Sequence, residues 1–264
     1  MRELYIQGKG KMDCEGILGM LLGLGAEPEK IQENLEIRFS FPVKIEVTKV
    51  SGKEYSARII TEAREKIGLD RAEKYFAGQR GKKGIDSKVS EMAVMLWQAS
   101  NMPAGTPFLK LAGEGTSLVS LSALAEAMEL LGFSQCRVWE LEEGLGAGEG
   151  GLVPSNEIMR ILEKSSLPVN FSCQKEENLT PGSAAFLAAY GKPAGETGRK
   201  EIRDWACGVS WEKENSGIIR GVILEEKQDI PADEREKDRV QVLETNVDDC
   251  SGEQLGYALS LIHI

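Results

Sequence analysis

The densest chemistry in the sequence is the run Leu243-Glu244-Thr245-Asn246-Val247-Asp248-Asp249. Three carboxylates and an amide stand where a predicted strand (240–243) gives way to a predicted helix. Oxygen donors in that grouping suit Mg²⁺ or Mn²⁺ with a nucleotide. The same residues also read as an Asx-rich turn whose acids complement the dipole of the next helix. Residue chemistry alone leaves both readings open. Ser251 and Gln254 supply a capping box for that helix.

Two glycine loops offer phosphate chemistry. Gly146, Gly148 and Gly151 make a formal G-x-G-x-x-G match after a predicted strand, the context a dinucleotide site requires. The next helix, however, starts only at Ser155, too late to bring its N-terminus to the second glycine. Glu142, Glu143 and Glu149 would also repel a pyrophosphate, so a flexible turn is the favoured reading. The second loop, Gly8-Lys9-Gly10-Lys11, joins a strand to a helix, where phosphates often bind. It lacks the full P-loop pattern, and Lys9 and Lys11 read as solvated surface charges.

Composition narrows the chemistry further. The chain has 264 residues, 41% of them hydrophobic and 28% charged, with a net charge of -10. That size allows one large or two modest domains, and the acidity argues against a nucleic-acid partner. The single histidine, His263, is near the chain end, so neither a catalytic triad nor a histidine zinc site fits. Proton transfer would fall to carboxylates, Lys, Tyr or Cys. The five cysteines (Cys14, Cys136, Cys173, Cys207 and Cys250) form no C-x-x-C pair. They read as reduced thiols in a cytoplasmic protein, most of them small buried hydrophobes. Cys14 stands between Asp13 and Glu15, which would raise its pKa and argue against reactivity. The sequence shows neither a signal peptide nor a membrane span.

The elements that must position these residues follow from periodicity. Strands are expected at 4–6, 43–47, 55–60, 137–139 and 169–171, with a last hairpin formed by 209–211 and 218–224. Helices are expected at 15–24, ended by Gly25, and along the face of Val89, Met92, Ala93 and Leu96. Another carries Leu118, Leu121, Ala125 and Met128, capped by Thr116 or Ser117, with Glu126 and Glu129 turned away from the core. Ser155 is expected to cap a helix holding Ile158, Ile161 and Leu162, and Thr180-Pro181 opens another. The fold class is α/β (α+β): a mixed-sheet domain with packed helices at 1–225, a charged linker at 226–239, and the start of a second α+β domain at 240–264.

The motif Val242-Leu243-Glu244-Thr245-Asn246-Val247-Asp248-Asp249, with Gly256-Tyr257 after it, resembles the L-E-T-N-I-D-D…G-Y signature of the LarC family of nickel-insertion proteins. The resemblance continues in order: Leu4-Tyr5-Ile6 with the glycine-leucine helix at 18–25, the hairpin at 50–60, the E-L-L-G helix end before Gly132, Val153-Pro154, Leu179 to Ala185, and Ile218-Ile219-Arg220. It implies insertion of nickel into a pyridinium bisthiocarboxylate mononucleotide, dependent on CTP and a divalent cation, a cyclometallase reaction of the lyase class. By resemblance, Glu244, Asp248 and Asp249 would hold Mg or Mn, while Thr245 and Asn246 would bind the nucleotide through neutral hydrogen bonds. A homo-oligomer is a further partner consistent with the family.

The departures concentrate in the first domain. The family's acidic, Cys- and Ser-containing loop is here Gln7 to Glu15, and its H-F-H-E segment is replaced by Pro107-Phe108-Leu109-Lys110. Its histidine-rich tract has no counterpart. The alternative is therefore a non-catalytic relative that keeps the fold as a binding or assembly module. A third reading, a dinucleotide enzyme, rests on Gly146 to Gly151 alone and predicts tight NAD binding. The ending Ser260-Leu261-Ile262-His263-Ile264 looks foreign to the family, so the expectation is a C-terminally truncated chain. A genomic read is expected to continue in frame past residue 260 with a different sequence; a stop codon directly after Ile264 would refute this.

Overall fold

Leu4 and Ile6 are fully buried and alternate with residues of the opposite face, a period of two that makes the opening segment a strand. The computed structural model describes residues 2–61, 84–100, 118–148, 151–195, 199–211, 217–226, 251–254 and 256–257. In it, strand β1 (Arg2–Lys9) has an antiparallel neighbour, β11 (Ile218–Glu226), and a parallel one, β4 (Cys136–Val138). On the β11 side follow β10 (Lys200–Val209), antiparallel, then β3 (Glu54–Thr61), parallel to β10, and the edge strand β2 (Val43–Ser51), antiparallel to β3. Strand β9 (Gly191–Pro193) closes the other edge parallel to β4, completing a seven-stranded sheet. Two small sheets stand apart: β5 (Leu141–Gly144) with β8 (Val169–Ser172), parallel, and β6 (Gly146–Gly148) with β7 (Gly151–Val153), antiparallel.

Helix α1 (Cys14–Gly23) lies on one face of the large sheet, over β3, β10 and β11. Its first turn is closed by Asp13, whose side chain accepts from the Gly16 N–H at 2.7 Å. The helix meets the sheet backbone to backbone. A Cβ on Gly208 of β10 would stand 1.8 Å from the Gly16 carbonyl oxygen, so no larger residue fits there. The other helices are α2 (Pro28–Phe39), α3 (Ile85–Ser100), α4 (Leu118–Leu130), α5 (Asn156–Glu163) and α6 (Pro181–Tyr190), of which α4 and α6 pack against α1. Helix α4 contacts α1, α2, α3 and α6 and is buried along nearly its whole length. The architecture is the expected α/β class, with a mixed parallel and antiparallel sheet.

Most expected elements occur, and the exceptions have physical causes. Helix α2 is not visible in the periodicity because only Ile31 and Leu35 of its residues are buried. Glu126, expected to turn outward, is instead 3% exposed. Its carboxylate is held by Arg38 at 2.8 Å and Asn34 at 2.9 Å, both donated by α2. Pairing is what makes a buried carboxylate tolerable. The final hairpin exists, but its first strand starts at Lys200 and ends at Val209 rather than spanning 209–211. Ser155 occupies the N-cap position of α5 without a side-chain cap bond, whereas Thr180 and Ser183 form a full capping box on α6.

The chain divides into two compact units, Met1–Lys227 and Gln228–Ile264. The expected caps Thr116 and Ser117, the charged linker and the strand at 240–243 lie outside the described residues. Among the described residues, no helix is long and apolar enough to cross a membrane.

The α1 contact sets a stability test. Gly208→Ala is expected to cost about 2–4 kcal/mol in urea unfolding, because the helix must lift off the sheet. Gly195→Ala, where an added Cβ meets nothing, is expected to stay within about 0.5 kcal/mol.

Candidate functional site

The residues that could do chemistry in the first unit gather at the carboxyl end of β1. Ligands of open α/β sheets characteristically bind outside the carboxyl ends of the strands. The loop that follows β1 is pinned on two sides. Met12 pairs with the 178–180 segment: its N–H donates to the Asn178 carbonyl, and its own carbonyl accepts from the Thr180 N–H at 3.2 Å and the Ser183 hydroxyl at 2.7 Å. Asp13 caps α1 and accepts from the Ser210 hydroxyl just beyond β10.

A buried acid ties the 178–180 segment to the small parallel sheet. Glu143, on β5, is fully buried. Its carboxylate accepts main-chain N–H bonds from Gly144 at 2.9 Å, Asn178 at 2.8 Å and Leu179 at 3.0 Å. Asn178 adds a side-chain bond from Nδ2 to the Glu142 carbonyl at 3.1 Å. Burial pushes the Glu143 carboxyl above the usual carboxylate range, the three N–H bonds pull it back, and the charge of Glu177 pushes it up again. Glu157, at the start of α5, is raised for the same leading reason, burial, and next by Glu177. Glu177 itself accepts from the Ser155 N–H.

Between these elements lies a cleft of about 260 Å³ lined by Gln7, Gly8, Lys9, Glu142, Ile218 and Arg220. Gln7 faces Arg220 and Lys9 faces Ile218 across the β1–β11 ladder. These side chains point away from α1, because Ile219 and Gly221, one position off, face it. Lys9 and Arg220 are exposed at the mouth.

The structure disposes of the dinucleotide loop. Gly146–Gly148 and Gly151–Val153 pair as the antiparallel strands β6 and β7, and the next described helix, α5, begins only at Asn156, so the glycines do not open a helix. Glu143 is not a surface charge repelling an anion but the buried clamp just described. Of the described cysteines, Cys14, Cys136 and Cys207 are buried and Cys173 is exposed. Burial pushes the Cys136 thiol up to about 12. Glu244, Thr245, Asn246, Asp248 and Asp249 all lie outside the described residues, as does Cys250. Near them, the Ser251 N–H donates to Gln254 Oε1 at 3.1 Å, one arm of the expected capping box. Among the described residues, no three His, Cys, Asp or Glu side chains converge as a metal site. Asn178 was not named by sequence reasoning, its only signal being its place just before the motif at 179–185, and Arg220 was named only as part of the Ile218-Ile219-Arg220 motif, with no role.

Taken by fold and site, the first unit is an α/β unit with a cleft at a strand end, lined by Lys9, Arg220 and Glu142 among others. The chain belongs to the nickel insertion protein family, which it matches over residues 4–263. Its relatives include proteins named "Putative nickel insertion protein". That of Methanosarcina mazei is 27% identical over 261 residues, 91% of this chain and 62% of the relative. That of Methanosarcina acetivorans is 28% identical over 257 residues, with the same coverage of 91% and 62%. That of Geotalea daltonii is 29% identical over 153 residues, 56% of this chain and 37% of the relative. The chain thus spans under two thirds of the length of the curated relatives it matches. No solved structure matches it.

The Glu143 clamp predicts two stability effects. Glu143→Ala orphans three buried N–H groups and is expected to cost about 3 kcal/mol in urea unfolding at pH 7. Glu143→Gln keeps one acceptor oxygen and cannot titrate. Because the folded carboxyl binds its proton more tightly than the unfolded one, its favourable contribution is full below the unfolded value, near 4.3, and is lost as pH rises through the higher folded value. Wild type is therefore expected to lose stability relative to Glu143→Gln as pH rises above the ordinary carboxylate range. A difference that grows in the opposite direction would overturn the assignment.

Proposed function

We propose that the protein inserts nickel into a pyridinium bisthiocarboxylate mononucleotide in a CTP-dependent reaction, a step of nickel-pincer cofactor assembly in the cytoplasm. The observation that supports this most is the family match from residue 4 to 263, which runs through the acidic motif as well as the α/β unit. Nickel here is substrate, not a resident cofactor. The soft sulfur donors it favours are present on the mononucleotide itself. A histidine cluster on the protein is then not required, which is compatible with a chain whose one histidine is His263.

The divalent cation that accompanies CTP calls for the opposite donors. Glu244, Asp248 and Asp249 are hard carboxylates, and that donor set fits Mg²⁺ or Mn²⁺. Such a cation would neutralise the triphosphate and fix its orientation. Thr245 and Asn246 would hydrogen-bond the nucleotide. The two binding tasks then use donors of different softness, so neither metal competes well for the other's site.

The alternative, a non-catalytic relative acting as a binding or assembly module, is favoured by one feature: the family's histidine-rich tract is missing from the sequence. Nickel transfer in vitro separates the two. Nickel-dependent absorbance of the mononucleotide is expected to appear only with CTP and Mg²⁺ or Mn²⁺ present, using a protein that carries the family's full length. Asp248→Asn and Asp249→Asn are expected to lower it at least about tenfold. Absence of both nickel transfer and CTP binding would decide for the module.

A further inference from the structure

We propose that Lys9 and Arg220 form a binding subsite for a phosphate monoester in the cleft at the carboxyl end of β1. The chain carries 42 acidic against 32 basic residues, so carboxylates are in surplus and cations readily find partners. Several others on or beside the sheet do: Lys200 pairs with Glu3, Lys53 with Asp204, and Arg58 with Glu46 at 2.7 Å, while Arg2 and Lys49 instead sit over aromatic rings. Among the described residues, no ion pair or hydrogen bond engages the side chain of Lys9 or Arg220, although both line one concave site.

Their placement suits an oxyanion. Arg220 stands opposite Gln7 in the ladder, and Lys9 is two residues further along the same face of β1. A guanidinium, an ammonium and an amide therefore line a single wall. Arg presents a planar fork of donors to phosphate and Lys a point charge. The cleft of about 260 Å³ is small for a whole dinucleotide and adequate for a phosphoryl group with the sugar that bears it.

Glu142 lines the same cleft and is exposed. It opposes a free inorganic anion, yet it offers an acceptor for sugar hydroxyls on an ester. The combination distinguishes a phosphate ester from bare phosphate. Charge and geometry carry this inference; only the choice of a pyridinium mononucleotide as probe rests on the function proposed above.

Calorimetry with three probes tests it: nicotinamide mononucleotide, its phosphate-free riboside, and inorganic phosphate. The mononucleotide is expected to bind at least about tenfold more tightly than the riboside, the worth of the charge-assisted bonds. Lys9→Gln and Arg220→Gln are each expected to weaken the mononucleotide about tenfold and leave the riboside unchanged. Glu142→Gln is expected to strengthen binding of inorganic phosphate. Both cations are exposed, so melting temperatures should match wild type; either variant suffices if the other misfolds. Should inorganic phosphate bind with this variant dependence while the mononucleotide does not, the monoester subsite is overturned and the cleft is a site for a free inorganic anion only. Mononucleotide binding that is insensitive to both variants overturns the subsite and leaves the functional proposal intact. No binding of any phosphate-bearing probe also overturns the subsite.

Discussion

The contact between Gly16 and Gly208 fixes the first unit. Side chains ordinarily keep a helix about 10 Å from a sheet, and this pair removes them, so that α1 rests its backbone on β10. The gain is dispersion between densely packed main-chain atoms and a fixed seat for the helix. The seat then decides the loop before it. Asp13 caps α1 and is held by the Ser210 hydroxyl, and Gly217, entering β11, leaves no room for a Cβ beside the Lys11 and Gly10 backbone. The cleft wall of Gln7 and Lys9 is therefore positioned from behind, by contacts that do not touch the cleft.

The opposite wall is positioned by a different device. Glu143 is a buried carboxylate satisfied by main-chain N–H groups rather than by a cation. A salt bridge would have tied one side chain to another. Three main-chain donors instead fix the path of the backbone at residues 144, 178 and 179, and through Met12 they reach the β1–α1 loop. The Arg38–Glu126 pair uses the conventional solution deeper in the helical layer. The two acids show that burial does not by itself specify a partner: where a helix supplies an arginine, charge is matched, and where only irregular backbone is near, amides do the work.

How much of this could be read from sequence follows from what kind of signal each feature leaves. Strong periods survived: Leu4 and Ile6, the helix face of Val89 to Leu96, the capping box at Thr180. Helix α2 left only two buried positions, and with it went the correct placement of Glu126, whose partner it supplies. The start of β10 was hidden because Lys200 to Asp204 are charged except for an exposed Ile202, a pattern with no apolar face to detect. The Glu143 clamp and the β1–β11 ladder that sets Arg220 opposite Gln7 are long-range, joining residues 35 and more than 200 positions apart in the chain. No local window contains them. The acidic run at Glu244 to Asp249 is the reverse case: conspicuous in sequence, and outside the described residues.

Net charge and local charge then act on different scales. A chain at -10 repels polyanions at a distance, but at physiological salt that field is screened within about 8 Å. Inside a cleft the nearest unpaired groups dominate, and here they are two cations and one carboxylate. On the proposed subsite, a small anion that enters the cleft meets Lys9 and Arg220 directly, where the screened net charge of the chain counts for little.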